Sequence, residues 1–194
     1  MSHLNPQSLT ADELQALLRV TADHPRDHLV FSLALGTGLR LGELVGMNVG
    51  DFYFPNGQPR LRVHVRAEIA KRGRAGDVFL PDALTGKLIR FWSYKVSHGE
   101  SLDPLAPLVC GLSRRRISPR RLQVLFHGWQ RAAGFDRLYC FHTLRHTAVT
   151  NVYQASHDLF LAQRFARHAS PLTTTIYTHP SDEELRDRIR KLAC

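Results

Sequence analysis

The stretch Arg60-Leu61-Arg62-Val63-His64-Val65-Arg66, followed by Lys71-Arg72-Gly73-Arg74-Ala75-Gly76 and then Val78-Phe79-Leu80, decides the fold class. Leu61, Val63 and Val65 alternate with Arg60, Arg62, His64 and Arg66, which is the period of two that a strand needs to turn one apolar and one basic face. Val78–Leu80 reads as a second strand, and the glycines between the two supply a mobile turn, so the pair predicts an antiparallel hairpin. On both sides of it the period is helical. Upstream, Thr10-Ala11-Asp12-Glu13 is a capping box, with Leu14, Leu17 and Leu18 recurring at helical spacing behind it. Pro25 opens a second helix that runs through Leu29-Val30-Phe31 and ends near Gly36-Thr37-Gly38, and Arg40 to Val45 reads as a short third. Downstream, Pro81-Asp82 starts a helix carrying Leu84, Leu88, Phe91 and Trp92, and a loop rich in Gly, Pro and Ser follows from about 97 to 116. Ser118-Pro119 then has the chemistry of a helix start, with Gly134 placed to stop it. Further helices are predicted over roughly 143–155, 158–167 and 171–178. A last one is capped by Ser181, with Glu184 completing the box and Leu185, Ile189 and Leu192 on one face. The expectation is a mainly α chain with a small antiparallel β-sheet, forming one domain over residues 1–194 with its core at 8–180 and a C-terminal helix at 181–192.

A chain of 194 residues is long enough to bury a core without disulfides or metals. Its 26 Lys and Arg against 17 Asp and Glu leave a net charge of +9, which points to a polyanionic partner. The three cysteines, Cys110, Cys140 and Cys194, are far apart and form no C-x-x-C pair, so neither a zinc knuckle nor a disulfide framework is indicated. Eleven histidines are present, and no metal is expected. No stretch reaches the ~20 apolar residues of a membrane span, and residues 1–6 lack the basic region and apolar core of a signal peptide. The expected address is cytoplasmic.

Three stretches carry candidate chemistry. In His142-Thr143-Leu144-Arg145-His146, a helix start near Thr143 brings His142 and Arg145 together on its first turn, beside free N–H groups that suit an anion. In Gly38-Leu39-Arg40-Leu41-Gly42-Glu43, an arginine follows a glycine turn with a carboxylate three residues on. Glu43 is placed to fix the guanidinium from behind and leave its fork for a phosphate. The third stretch runs from His168 through Ser170-Pro171 and three threonines to Tyr177 and His179, and puts a tyrosine on a single turn after a helix start.

Together these stretches resemble the catalytic domain of the tyrosine recombinase family, also called the lambda-integrase or Xer-type family, over roughly residues 8–190. Arg40 falls in its first arginine motif, Lys71 in the hairpin turn of its catalytic lysine, His142 and Arg145 in its His-x-x-Arg box, and His168 at its second histidine. Tyr177 stands at the nucleophile. The resemblance implies a DNA recombinase that breaks and rejoins strands through a 3′-phosphotyrosyl link, with no cofactor, metal or ATP. It assigns Lys71 as general acid, His142 as general base, His168 as a phosphate ligand and Glu43 as support for the site. Two departures stand out. Arg167 occupies a position where the family has glycine, and a side chain at φ > 0 costs roughly 1 kcal/mol there. The nine residues before the first helix cannot supply the additional helical core-binding domain typical of the family, so the expectation is either an excised catalytic fragment or a short form resembling the fimbrial-switch invertases.

Beyond the motifs, Arg114, Arg115 and Arg116 with Arg120 and Arg121 flank the helix start at Ser118. They are candidates for contact with the phosphates of double-stranded DNA, with base reading along the helix to Arg131. The basic strand face of Arg60, Arg62 and His64 is a further candidate. The family implies a homo-tetramer on paired DNA sites, accessory DNA-bending proteins and a nucleoid-associated location. Two alternatives are a type IB topoisomerase-like relaxing enzyme and a silent DNA-binding regulator.

Overall fold

The computed structural model describes residues 8–177, Tyr177 by its backbone alone, together with Arg186, Ile189 and Arg190. The expected helix capped by Ser181 lies outside the described residues, as do Cys194, Leu185 and Leu192. The chain divides into two compact units that meet within one helix, between Ala148 and Val149.

In the first unit the helices are α1 (Ala11–Val20), α2 (Pro25–Thr37), α3 (Leu41–Gly46), α4 (Val49–Phe52), α5 (Ala83–Ser97) and α6 (Pro119–Ala132), with the start of α7 (His142–Ser156). Strands β1 (Arg62–Val65) and β2 (Gly76–Phe79) pair antiparallel, with Val63 opposite Val78 and His64 opposite Asp77. The start signals act as read. The Thr10 hydroxyl accepts from the Glu13 N–H while the Glu13 carboxylate takes the Thr10 N–H, and Ser118 caps α6 ahead of Pro119. Helix α2 is buried almost all round, through Leu29, Val30, Phe31, Leu33 and Ala34. A helix apolar on every side belongs at the centre of a core. Phe31, Phe126 and Phe141 pack around it, with ring centroids 5.4 Å apart between Phe31 and Phe126 and 5.5 Å between Phe126 and Phe141. Phe141 immediately precedes α7, so the aromatic cluster anchors the start of that helix.

One expectation changes here and two features are new. Leu61 shares the parity of Val63 and Val65 but lies outside β1 and is 58% exposed. Helix α4 was not read from the sequence; the Asp51 carboxylate accepts the Asn48 N–H at its start, a signal hidden by its brevity. Lys95 lies fully buried on α5, its ammonium bonded to Glu100 at 2.7 Å and to the carbonyls of Pro107 and Leu108. A lysine is buried only where its charge is paired and its donors satisfied.

In the second unit the end of α7 and α8 (Leu159–Ala166) enclose a small core of Val149, Ala162 and Ala166. Asp158 caps α8 through the N–H groups of Phe160 and Leu161. Arg167 ends it at φ 50°, ψ 46°, the left-handed conformation that glycine favours. The predicted helix over 171–178 is instead two 3-10 turns, Pro171–Thr173 and Thr175–Tyr177. β-Branched threonines lose χ1 freedom in an α-helix, and here the Thr174 hydroxyl bonds the His168 ring at 2.9 Å. Among the described residues no helix is long and apolar enough to cross a membrane.

Candidate active site

Arg40 is the N-cap of α3. Its backbone N–H donates to the Glu43 carboxylate at 2.9 Å, and its guanidinium donates to the other oxygen of the same group, also at 2.9 Å. Glu43 is buried, so one carboxylate both caps the helix and holds the arginine fork. Helix α2 ends two residues earlier at Gly38, whose φ of 62° needs no Cβ to be accommodated. That glycine turn aims a carbonyl at Arg145, which donates to the Gly38 oxygen although the two are 107 residues apart. Arg145 is 2% exposed and lies on the first turn of α7, one turn from His142. Both arginines are thereby tied to the same α2–α3 junction.

The hairpin turn between β1 and β2 carries Lys71 at the start of a 3-10 turn, with Arg72 at φ 59° and Gly73 at φ 67°. Lys71 is exposed and, among the described residues, makes no hydrogen bond or ion pair. Its charge nevertheless reaches His142. His142 is exposed at the surface, yet partial desolvation first, then the positive charges of Arg145, Arg40 and Lys71, hold its imidazole below the usual histidine value. The first unit therefore brings the charges of Arg40, Lys71 and Arg145 to bear on the His142 imidazole, with Glu43 bonded to Arg40. His146, one turn further along α7, meets His142 edge to face at 4.5 Å between ring centroids. Burial, His142 and Arg145 push it down to about 4. His146 carried no expected role in the sequence; its position four residues after His142 on a helix was the available signal.

In the second unit His168 is oriented by Thr174, and Gln163 donates to its carbonyl at 3.2 Å. Tyr177 closes the last 3-10 turn. Among the described residues no group of three or more His, Cys, Asp or Glu could hold a metal ion.

The expected DNA-facing arginines separate into two sets. Arg114, Arg115, Arg120 and Arg121 are exposed, with no side-chain hydrogen bond or ion pair among the described residues. Arg116 is exposed too but differs in its contacts: its guanidinium donates to the carbonyls of Val45 at 2.6 Å and Met47 at 2.8 Å and to the Asn48 side chain at 2.6 Å. The basic strand face is also occupied internally. Arg62 and His64 both bond Asp77, and Arg60 donates to the Gly50 and Tyr53 carbonyls while lying over the Phe54 ring at 4.1 Å.

Residues 7–184 match the phage integrase family. The tyrosine recombinase XerC of Caldanaerobacter subterraneus subsp. tengcongensis is 30% identical over 98% of this chain, and that of Vibrio vulnificus strain YJ016 is 31% identical over 94%. The chain spans about half the length of these relatives. In fold it is similar to the crystal structure of XerA recombinase, with a TM-score of 0.79 at 24% identity, over 97% of this chain and 66% of that one. The XerH site-specific recombinase bound to a palindromic difH substrate gives a TM-score of 0.76 at 24% identity, over 96% of this chain and 53% of that one. Their shared architecture is the mainly helical catalytic fold with a small antiparallel sheet, and the chain belongs to the phage integrase family.

Proposed function

We propose that this protein is a site-specific DNA recombinase that cuts and rejoins strands of double-stranded DNA through Tyr177. The observation that carries this reading is the pair of arginines fixed at one junction, Arg40 on the buried Glu43 carboxylate and Arg145 on the Gly38 carbonyl. Attack on a phosphodiester builds negative charge on the two non-bridging oxygens. Two arginine forks held in place before the reaction stabilise that charge without reorganising.

The proposed cycle balances as follows. The Tyr177 oxygen attacks phosphorus while its proton passes to His142, which its surroundings keep neutral and therefore able to accept one. The bond from phosphorus to the 5′-oxygen breaks, and Lys71 protonates the departing oxygen. The products are a 3′-phosphotyrosyl ester and a free 5′-hydroxyl. A 5′-hydroxyl from another strand then attacks, Lys71 takes its proton, and His142 returns the other to Tyr177. The ester conserves the energy of the bond it replaced, so the cycle consumes no ATP. His168, oriented by Thr174, would donate to the same phosphate, and Glu43 keeps the Arg40 fork aligned. Exposed Arg114, Arg115, Arg120 and Arg121 would meet the DNA backbone. Exchange between two duplexes breaks four strands, so four copies, one tyrosine each, form the working assembly.

Covalent capture tests the reading. The protein is expressed beside its own genomic flanks and denatured, and the DNA ends attached to it are sequenced, with Tyr177→Phe as control. Tyrosine-dependent ends clustered at one short site are expected. Dispersed ends would replace site-specific recombination with general DNA relaxation, and no adduct would leave a DNA-binding protein without strand cleavage.

A further inference from the structure

Helix α3 is only six residues long, too short to hold its own position, yet it carries Arg40 at its start. What holds its far end is a pair of arginines from distant parts of the chain. The last carbonyls of a helix have no partner inside it. Here Arg116 takes that of Val45, and Arg66 takes that of Gly46 at 3.0 Å. Arg116 also bonds the carbonyl of Met47, the residue after the helix, which accepts the Leu108 N–H as well. The two guanidiniums are joined by a closed ring of polar contacts. Arg116 donates to the Asn48 side chain, the Asn48 N–H donates to Asp51 at 2.7 Å, and Arg66 donates to both Asp51 oxygens at 2.8 Å. Positive charge at a helix C-terminus also opposes the negative pole there.

The same clamp bears on Lys71. Arg66 is the first residue after β1, and the chain between it and Lys71 packs against the end of α3. A Cβ on Gly46 would lie 2.5 Å from Cγ2 of Ile69, two residues before Lys71. The end of α3 is thus seated on the segment that leads into the lysine turn.

We infer that Arg116 and Arg66 are positioning residues that fix Arg40 and Lys71 relative to each other by clamping the C-terminus of α3. For Arg116 this replaces the DNA contact expected from its place in an arginine run. The inference rests on the proposed strand-cleavage reading for its effect on rate, and on geometry alone for its effect on the site.

The test uses Arg116→Ala and Arg116→Lys in the full chain, each checked for folding by thermal melting. Lysine keeps the charge but cannot fork to three acceptors, and it carries the measurement if alanine fails to fold. Three quantities are read: single-turnover cleavage at saturating DNA, the slope of log affinity against log salt, and the titration of the His142 imidazole by NMR. Small misplacements at a reacting centre can cost on the order of 10²-fold in rate, and a loss of that order is expected. The salt slope stays at the wild-type value, whereas Arg120→Ala, the reference for a lost phosphate contact, lowers it by about 1. His142 titrates higher than in wild type as Arg40 and Lys71 drift from it. Arg116 is not among the charges acting on His142, so losing its own charge does not produce that shift. A slope lowered by about 1 with an unchanged saturated rate would make Arg116 a DNA contact and overturn the inference. If the wild type itself forms no adduct, the cleavage reading falls and His142 alone decides: a raised titration supports the clamp, an unmoved one overturns it.

Discussion

The junction of α2 and α3 and the turn of the β-hairpin both deliver cations to His142, yet they are built in opposite ways. At the junction each arginine is held. Arg145 is buried against the Gly38 carbonyl, and Arg40 is doubly bonded to a buried Glu43. At the turn Lys71 is exposed, beside two consecutive residues at positive φ. The contrast follows the proposed tasks. Groups that stabilise charge must already be in place when the charge forms, or their reorganisation enters the barrier. A proton donor has to reach a leaving oxygen that arrives with the DNA, and a glycine-containing turn allows that approach.

The comparison can be broken at its rigid end first. Arg145→Ala should lower the rate of covalent adduct formation by about 10²–10³. It should also destabilise the fold by about 1–3 kcal/mol, because the Gly38 carbonyl loses its buried donor. Quench-flow on a nicked duplex and chemical denaturation measure the two effects, and an undiminished rate would remove Arg145 from the reaction. Lys71→Ala should slow cleavage by about 10²-fold, as expected for loss of a general acid, while leaving the melting temperature unchanged. Replacing the bridging 5′-oxygen of the substrate with sulfur, whose thiolate departs without a proton, should restore the rate. If sulfur gives no recovery, Lys71 is not the donor.

Acid titration sharpens the comparison more gently. Because His142 and His146 both have depressed values in the folded state, the unfolded chain binds protons more readily than the folded one. Stability from these groups is fully present above the ordinary histidine value of 6.5 and is lost as pH falls below it, through the window down to about 4 for His146. The melting temperature should therefore drop across that window, and His146→Gln should flatten the drop. Cleavage should fall at acid pH, below the ordinary histidine value, as His142 takes up a proton. A melting profile unchanged by His146→Gln would show that this half-buried imidazole does not titrate with folding. The smallest effect expected is at the surface. Arg121→Ala should reduce the salt slope of DNA affinity by about 1, read by fluorescence anisotropy, and an unaltered slope would place Arg121 off the DNA.

Much of the local structure was legible from neighbours in sequence. The capping box at Thr10, the prolines at the starts of α2 and α6, and the hairpin all follow from chemistry within a few residues. So does the Arg40–Glu43 pair, since three residues on a helix put the two groups within reach. The left-handed conformation at Arg167 was anticipated from a position where the resemblance has glycine. The turns before Tyr177 misled, because proline and a cap promise a helix start without saying how far it propagates.

What the sequence determined by itself was the identity and order of the reactive groups, and the local segments that carry them. Proline, glycine, capping side chains and hydrophobic period act over one or two turns and need no fold to be read. Only the tertiary structure decided which arginines are bonded within the fold and which have no side-chain partner among the described residues. Within Arg114-Arg115-Arg116 the three residues are chemically identical and all exposed, but Arg116 alone finds three acceptors, 68 to 71 residues away in the chain. A guanidinium has no preference written into its own sequence neighbourhood; its partner is set by which acceptors the fold brings within its reach.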